Sequence, residues 1–392
     1  MKRINTTSLA KRIAAGLAVS LCALSFTGCT FETDTSDSAT VPSISSSKSR
    51  LMDATELFTE RDMTQSADTS QAKHIAVTDG QEITITEEGV YVIRGQASDV
   101  TITVQANAQD KIQLVLDNLS LTNQEKPCIY SKKAKKVFIT LTGSNTLAVT
   151  NRFAADVSNH IDGVIFSKNN LVCNGTGSLT ITSPENGIVC KDNLTITGGT
   201  YSITAASKSI EANDSVSIAD GIFSLKAGTD GIHVENNDDD TLGCLYIGGG
   251  HFTVQAGDDG LHANSLFQID SGAIHVTARE GMEGTYIQIN NGDLHINAQD
   301  DGINAAHKSK SYSPTAEING GSVTIRMGQG EGDGIDCNGD IIINGGIIDI
   351  IGRYAFDYDG NVRYNGGTIL FNGHQLDSIP NQKNGGAPDI GS

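Results

Sequence analysis

Short runs of alternating apolar and polar residues fill the chain from Asp162 onward, as in Leu194-Thr195-Ile196 and Tyr201-Ser202-Ile203-Thr204-Ala205. A period of two sends successive side chains to opposite faces, so these runs are strands. They recur within a larger phrase: an acidic or amide residue, usually Gly, an aliphatic, then two runs parted by a Gly-rich turn. The phrase opens at Asp162-Gly163, Asn186-Gly187, Lys208-Ser209, Asp230-Gly231, Asp259-Gly260, Glu280-Gly281, Asp301-Gly302, Asp333-Gly334 and Tyr354-Ala355. Its steps are 21, 22 or 24 residues, apart from two of 29 and 32. A fixed period in this range marks repeats that each bury their apolar face on the next. The predicted fold is all-β: a right-handed parallel β-helix, a single-stranded solenoid with coils of 21–22 residues and an N-terminal β cap. The two long steps predict loops at residues 235–241 and 306–315.

Within the coil that opens at Asp259, the alternation points Leu261, Ala263, Phe267, Ile269, Ile274, Val276 and Ala278 inward. Coils one strand spacing apart, about 4.8 Å, turn equivalent positions into columns. Ile188, Ile232, Leu261, Ile303 and Ile335 form one inward column, and Cys190, Ala212, Val234, Ala263, Ala305 and Cys337 another. Gly198-Gly199, Gly248-Gly249, Gly320-Gly321, Gly345-Gly346 and Gly366-Gly367 form a turn column suited to positive φ. Before residue 127 the alternation has a different rhythm, as in Val90-Tyr91-Val92-Ile93. Residues 51–126 are therefore expected to be the N-terminal cap and first irregular coils, with a short helical piece near Met52 to Met63. Residues 127–375 are the β-helix and 376–392 a C-terminal tail, with Tyr354, Phe356, Tyr358 and Tyr364 closing the last coil.

Residues 1–28 read as an export signal, in which Lys2, Arg3, Lys11 and Arg12 precede an apolar stretch too short for a permanent membrane span. Phe26-Thr27-Gly28-Cys29 ends that stretch as a lipobox does. Lipidation of Cys29 is expected, with residues 29–50 as a flexible tether and the protein held at the bacterial cell surface through this anchor alone. The formal charge of −19 becomes −23 once those four cations leave with the signal, which excludes nucleic acid as a partner. Cys128, Cys173, Cys190, Cys244 and Cys337 are odd in number and lack Cys-x-x-Cys spacing, so they are expected to be buried thiols.

The residue that opens the phrase is acidic on five consecutive coils: Asp230, Asp259, Glu280, Asp301 and Asp333. Asp258 and Asp300 precede it, and Glu283, Asn304 and Asp336 follow three positions on. Unit charges about 4.8 Å apart repel by roughly 3–4 kcal/mol at an effective dielectric of 20, and the penalty recurs at each step. A cation would relieve it, and carboxylate, amide and carbonyl oxygens suit Ca²⁺. The candidate sites are Asp230 with Asp258 and Asp259; Glu280 and Glu283 with Asp300, Asp301 and Asn304; and Asp301 with Asp333 and Asp336. His233 and His262 occupy the position held elsewhere by Glu283, Asn304 and Asp336, which weakens a calcium site there or invites a transition metal. His275 and His295 are expected on a solvated polar face.

Phe58-Thr59-Glu60-Arg61-Asp62, then Lys111 to Asp117, then Lys136 to Leu141, followed by the Asp-Gly-Ile coils, resembles the clostridial-type carbohydrate-binding parallel β-helix lipoproteins. The resemblance implies Ca²⁺ binding and affinity for cellulose and for acidic plant polysaccharides such as polygalacturonate. It also implies a fold similar to that of family 9 polysaccharide lyases, where Asp-Asp-Gly-x-Asp and an Asp from the preceding coil hold the catalytic calcium. Asp300-Asp301-Gly302-Ile303-Asn304 with Glu280 matches that arrangement, as does Asp258-Asp259-Gly260-Leu261-His262 with Asp230, except that Asn304 and His262 replace the last Asp. Asp333-Gly334-Ile335-Asp336 keeps the last Asp but follows Gly332.

A lyase also needs a base. Lys208, Arg279, Arg353, Lys308 and Lys310 are the candidates, and none stands in a pattern that compels the role; Lys308 and Lys310 read as solvated loop residues, and Arg279 as a partner of Asp258 or Asp300. The chain has no Trp to form a flat cellulose platform, whereas calcium can bridge the carboxylates of an acidic sugar to an acidic protein. The leading expectation is thus a surface-anchored, calcium-binding, non-catalytic protein that binds polysaccharide, preferably acidic. The alternatives are a calcium-dependent polyuronate (pectate-type) lyase and a structural adhesin.

Overall fold

The computed structural model describes residues 50–154, 160–330 and 332–381. Cys29, the export signal and most of the expected tether lie outside the described residues. Strands dominate, and helix is confined among the described residues to Ala54–Leu57 and Glu60–Met63. The strands climb in three ladders, each strand pairing in parallel with its equivalent one coil later. The first ladder runs from Lys73–Ala76 through strands such as Asn193–Ile196 and Ser215–Ile218 to Val362–Tyr364. A second includes Ser178–Ser183, Thr200–Ala205 and Ile222–Ala227. The third starts at Glu82–Ile85 and includes Asn186–Cys190, Ile210–Ala212 and, at its top, Tyr354–Tyr358. Residues 73–123 carry the same parallel pairings as the later coils. At the other end Thr368–Phe371 and His374–Leu376 pair antiparallel, a hairpin that turns the last edge back on itself.

The inward faces of the ladders meet in one core. Leu261, Ala263, Phe267, Ile269, Ile274, Val276 and Ala278 are all buried, as the alternation demands. Ile188, Ile210, Ile232 and Leu261 are paired successively, and Met282, Ile303 and Ile335 continue that column. Tyr201, Phe223 and Phe252 stack in the core, with centroids 5.1 and 4.5 Å apart. The five cysteines are free, and burial pushes the thiols of Cys128, Cys173, Cys190 and Cys337 up to about 12. Tyr354 and Phe356 are buried on the last coils, with Tyr358 and Tyr364 packed beside them.

Two kinds of glycine serve two purposes. In the turn column Gly199, Gly321, Gly346 and Gly367 have φ of +99°, +82°, +88° and +99°, the left-handed region that favours glycine. The glycine of the repeat phrase does something else. At Gly281 a Cβ would run into the carbonyl oxygen of Gly302 on the next coil and into Ile296, so this glycine permits close approach of coils.

Residues 51–65 run along the outer side of the first ladder. The Leu51 N–H donates to Gln288 (3.2 Å) and the Met52 N–H to Gln268 (2.7 Å). Phe58 leans on Tyr246 at 5.9 Å, Arg61 lies 4.3 Å over the Phe138 ring, and Asp62 pairs with Lys136 at 3.1 Å. This strap is why the outward-facing Gln268 and Gln288 are fully buried. The loops at residues 235–243 and 306–314 fall where the long repeat steps place them. They meet through the Ser309 hydroxyl, which donates to the Asp240 carbonyl at 2.6 Å.

Candidate functional site

The third ladder carries the acidic column on its outer side. Register places Asp259 opposite Glu280, and the paired aliphatics two residues on put Asp230, Asp301 and Asp333 in the same file. A second file three residues later reads Val189, Glu211, His233, His262, Glu283, Asn304, Asp336, Asp357. The phrase at Asp162 is one residue out of phase, because Gly163 and not Asp162 pairs with Asn186.

In the lower coils the protein neutralises its own carboxylates. Lys191 lies 2.9 Å from Glu211, and Lys208 lies 3.6 Å from it. His233 stacks on His262 with centroids 4.5 Å apart, its Nδ1 2.9 Å from Asp230. His262 Nδ1 lies 2.9 Å from Asp259 and 2.8 Å from Glu283. Burial alone would lower the His262 pKa, but these two carboxylates raise it to about 9. Burial would raise that of Glu283, yet His262 and Lys308, the latter at 2.7 Å, draw it down to about 2. Arg279 spans three acids, 2.6 Å from Asp258, 2.8 Å from Glu280 and 2.7 Å from Asp300.

The upper coils lack such partners. Among the described residues no cationic side chain pairs with Asp301, Asp333 or Asp336. Burial, with repulsion from Asp336, Asp300 and Glu280, pushes Asp301 up to about 7 despite the N–H of Asp333 donating to it at 2.8 Å. Burial and the charge of Asp301 bring Asp333 to about 7, and burial and Asp357 bring Asp336 to about 6. Asn304 donates to Glu280 (3.0 Å) and Glu283 (3.4 Å), while its own Oδ1 and the Oδ1 of Asp333 are buried without a hydrogen-bond partner.

Convergence and charge balance favour different places. Among the described residues two sets of side chains bring ligand atoms within 4.8 Å of one another: Asp230, Asp258 and Asp259, and Asp259, His262 and Glu283. The first is an expected grouping, and the second joins its Asp259 to Glu283 of another expected grouping through His262. Both are already offset by His233, His262, Arg279 or Lys308. Asp301, Asp333 and Asp336 share neighbouring rungs without that convergence, and their charge is unmatched. Charge balance weighs more here, because carboxylates rotate readily, whereas the cost of ionising a buried carboxyl with no cation beside it remains in every rotamer.

Four of the five expected bases are committed elsewhere, and Lys310 is exposed on its loop. Lys208, Arg279 and Lys308 hold ladder carboxylates, and Arg353 lies 4.9 Å over the Tyr354 ring. Lys308 belongs to a loop that looks solvated in sequence, but the contact of Ser309 with Asp240 folds that loop back onto Glu283. His275 and His295 stack at 4.7 Å on the second ladder, with His295 well exposed, as expected of a polar face. The sequence reading missed Tyr130 and Phe166, which continue the second file below Val189 with their rings 5.8 Å apart and edge to face. Tyr130 lies before the phrase begins at Asp162, and the one-residue phase shift of that first coil hides Phe166.

A family model described as a carbohydrate-binding domain-containing protein matches residues 79–332. A carbohydrate-binding domain-containing protein of Acetivibrio thermocellus is 32% identical over 124 residues, 30% of this chain and 43% of that protein, so the match spans less than half of the relative. The solved structure of a polysaccharide lyase-like protein from C. thermocellum, a gadolinium derivative, is similar with a TM-score of 0.51 and 28% identity, over 54% of this chain and 92% of that one. With most of its length matched by the family model, this chain belongs to the carbohydrate-binding domain-containing proteins.

Proposed function

We propose that this protein binds Ca²⁺ on the upper carboxylate ladder and through it an acidic, polygalacturonate-like polysaccharide, without cleaving it. The observation that carries the reading is the unmatched set Asp301, Asp333 and Asp336, held at pKa values of about 7, 7 and 6 by burial and mutual repulsion. A divalent ion removes that repulsion, and a hard cation suits oxygen ligands. Once bound, it offers open positions to a uronate carboxylate, which the acidic protein would otherwise repel. Asp230, Asp258 and Asp259 form a second oxygen-rich position, already offset by His233 and Arg279. In this reading the coils wind right-handed, the hand of parallel crossovers, and Cys29 anchors the protein at the cell surface.

The fate of the basic residues favours binding over lyase chemistry. A base must release its proton near neutral pH, whereas its carboxylate partners shift Arg279 upward and Glu283 shifts Lys308 upward. Affinity electrophoresis in polygalacturonate gels, with calcium and with chelator, tests the proposal. Retardation should require calcium and vanish in an Asp333→Asn, Asp336→Asn double variant, while ultraviolet absorbance from unsaturated uronates should not rise. Retardation that survives both chelator and substitution would remove the ladder from the function.

A further inference from the structure

Below the carboxylate ladder the same outer file becomes a groove. Thr84, Thr103 and Tyr130 are paired successively and lead on to Phe166, so they form one strip on the first coils of the third ladder. They line a cavity of about 390 Å³, within the ~300–1,000 Å³ typical of small-molecule sites. Phe166 meets the Tyr130 ring edge to face, and Lys132 Nζ lies 5.3 Å from its centroid, which presets the ring.

The charges of the lining set this groove apart from the rest of the face. Lys126 and Lys132 equal Glu82 and Asp99 in number, and threonine hydroxyls and the amides of Gln81 and Gln105 line the same groove. On a chain of formal charge −19, this is a neutral lining of mixed donors and acceptors beside an aromatic ring. Such a lining complements hydroxyl groups, which both donate and accept, better than it complements a carboxylate or a cation.

We propose that this groove is a saccharide subsite that takes a short uncharged stretch of glycan without a metal ion. The inference rests on the polysaccharide-binding reading and adds to it a second, calcium-independent contact. At about 4.8 Å per coil, Tyr130 and Asp336 are on the order of 40 Å apart on one face. One polymer could therefore engage both ends, and two weak contacts on a linked ligand reinforce each other.

The test is calorimetric titration of the full chain in excess EDTA with cellotetraose and xylotetraose. At least one should bind in EDTA, and the exposed pair Lys126→Ala, Lys132→Ala should weaken it about tenfold. Tyr130→Leu, checked for an unchanged melting profile, should weaken it likewise, and Asp336→Asn should not. Equal binding by parent and groove variants overturns the inference. If neither oligosaccharide binds in EDTA while polygalacturonate still binds with calcium, the groove is refuted and the ladder reading stands. No saccharide binding in either condition refutes both.

Discussion

His262 Nδ1 stands 2.9 Å from Asp259 on its own coil and 2.8 Å from Glu283 on the next, so one imidazolium is shared between two rungs of the ladder. Replacing it with a neutral residue leaves two buried carboxylates facing each other. His262→Gln should cost about 3–5 kcal/mol, the usual effect of breaking a buried ion pair, read by urea denaturation at pH 7. Adding Glu283→Gln should recover much of the loss, a coupling that a double-mutant cycle measures. Because the folded pKa of His262 is raised to about 9, its contribution should be complete below the ordinary histidine pKa and disappear as pH rises through 9.

The upper ladder should also lose stability as pH rises, but in a lower window. Asp301, Asp333 and Asp336 have raised folded pKa values of about 7, 7 and 6. The native state therefore holds more protons than the unfolded chain between about pH 4 and 7. In EDTA the melting temperature should fall as pH rises across this window. Saturating calcium should flatten the fall, and binding at pH 6 should release protons, visible as a buffer-dependent heat. A flat profile in EDTA would show that these carboxylates are ordinary solvated acids.

Calcium at about 100 times its dissociation constant should add roughly 2.7 kcal/mol of stability per independent site. Asp333→Asn keeps the shape of the side chain but removes its charge, so it should raise the melting temperature in EDTA and lower the calcium-dependent gain. Thermal melts of both proteins with and without calcium check the two signs together.

The strap gives a prediction independent of ligand. Asp62 is buried, pairs with Lys136 at 3.1 Å, and its backbone carbonyl accepts from Thr197 at 2.5 Å. Lys136→Met leaves that carboxylate buried without its cation and should cost about 3–5 kcal/mol. Limited proteolysis should then cut between residues 50 and 65 before any other described segment.

Anchoring is tested by Cys29→Ala, which should move the protein from the membrane fraction into the soluble fraction. No helix among the described residues is long and apolar enough to cross a bilayer. Unchanged partitioning would exclude lipidation as the means of attachment.

Much of the fold was legible because a stacked repeat writes its geometry locally. Ile188, Ile232 and Leu261 share a column because each coil repeats the last, so spacing alone assigns inward positions and loops. The same spacing identified both acidic files and put His233 and His262 in one of them. It failed at Asp162, where the unit ahead of Asn186 is one residue out of phase, since a strand can shift register without altering its alternation.

What the sequence determined, then, was everything that follows from period: strand, column, inward and outward side, and which carboxylates stand in file. The tertiary structure decided which of those carboxylates are already matched. Lys308 reaches Glu283 from a folded-back loop, Arg279 bridges three acids on neighbouring coils, and the strap from residue 51 covers Gln268 and Gln288. These contacts depend on where long side chains and distant segments settle in space. Electrostatic balance depends on separation in ångströms, and separation along the chain does not fix it.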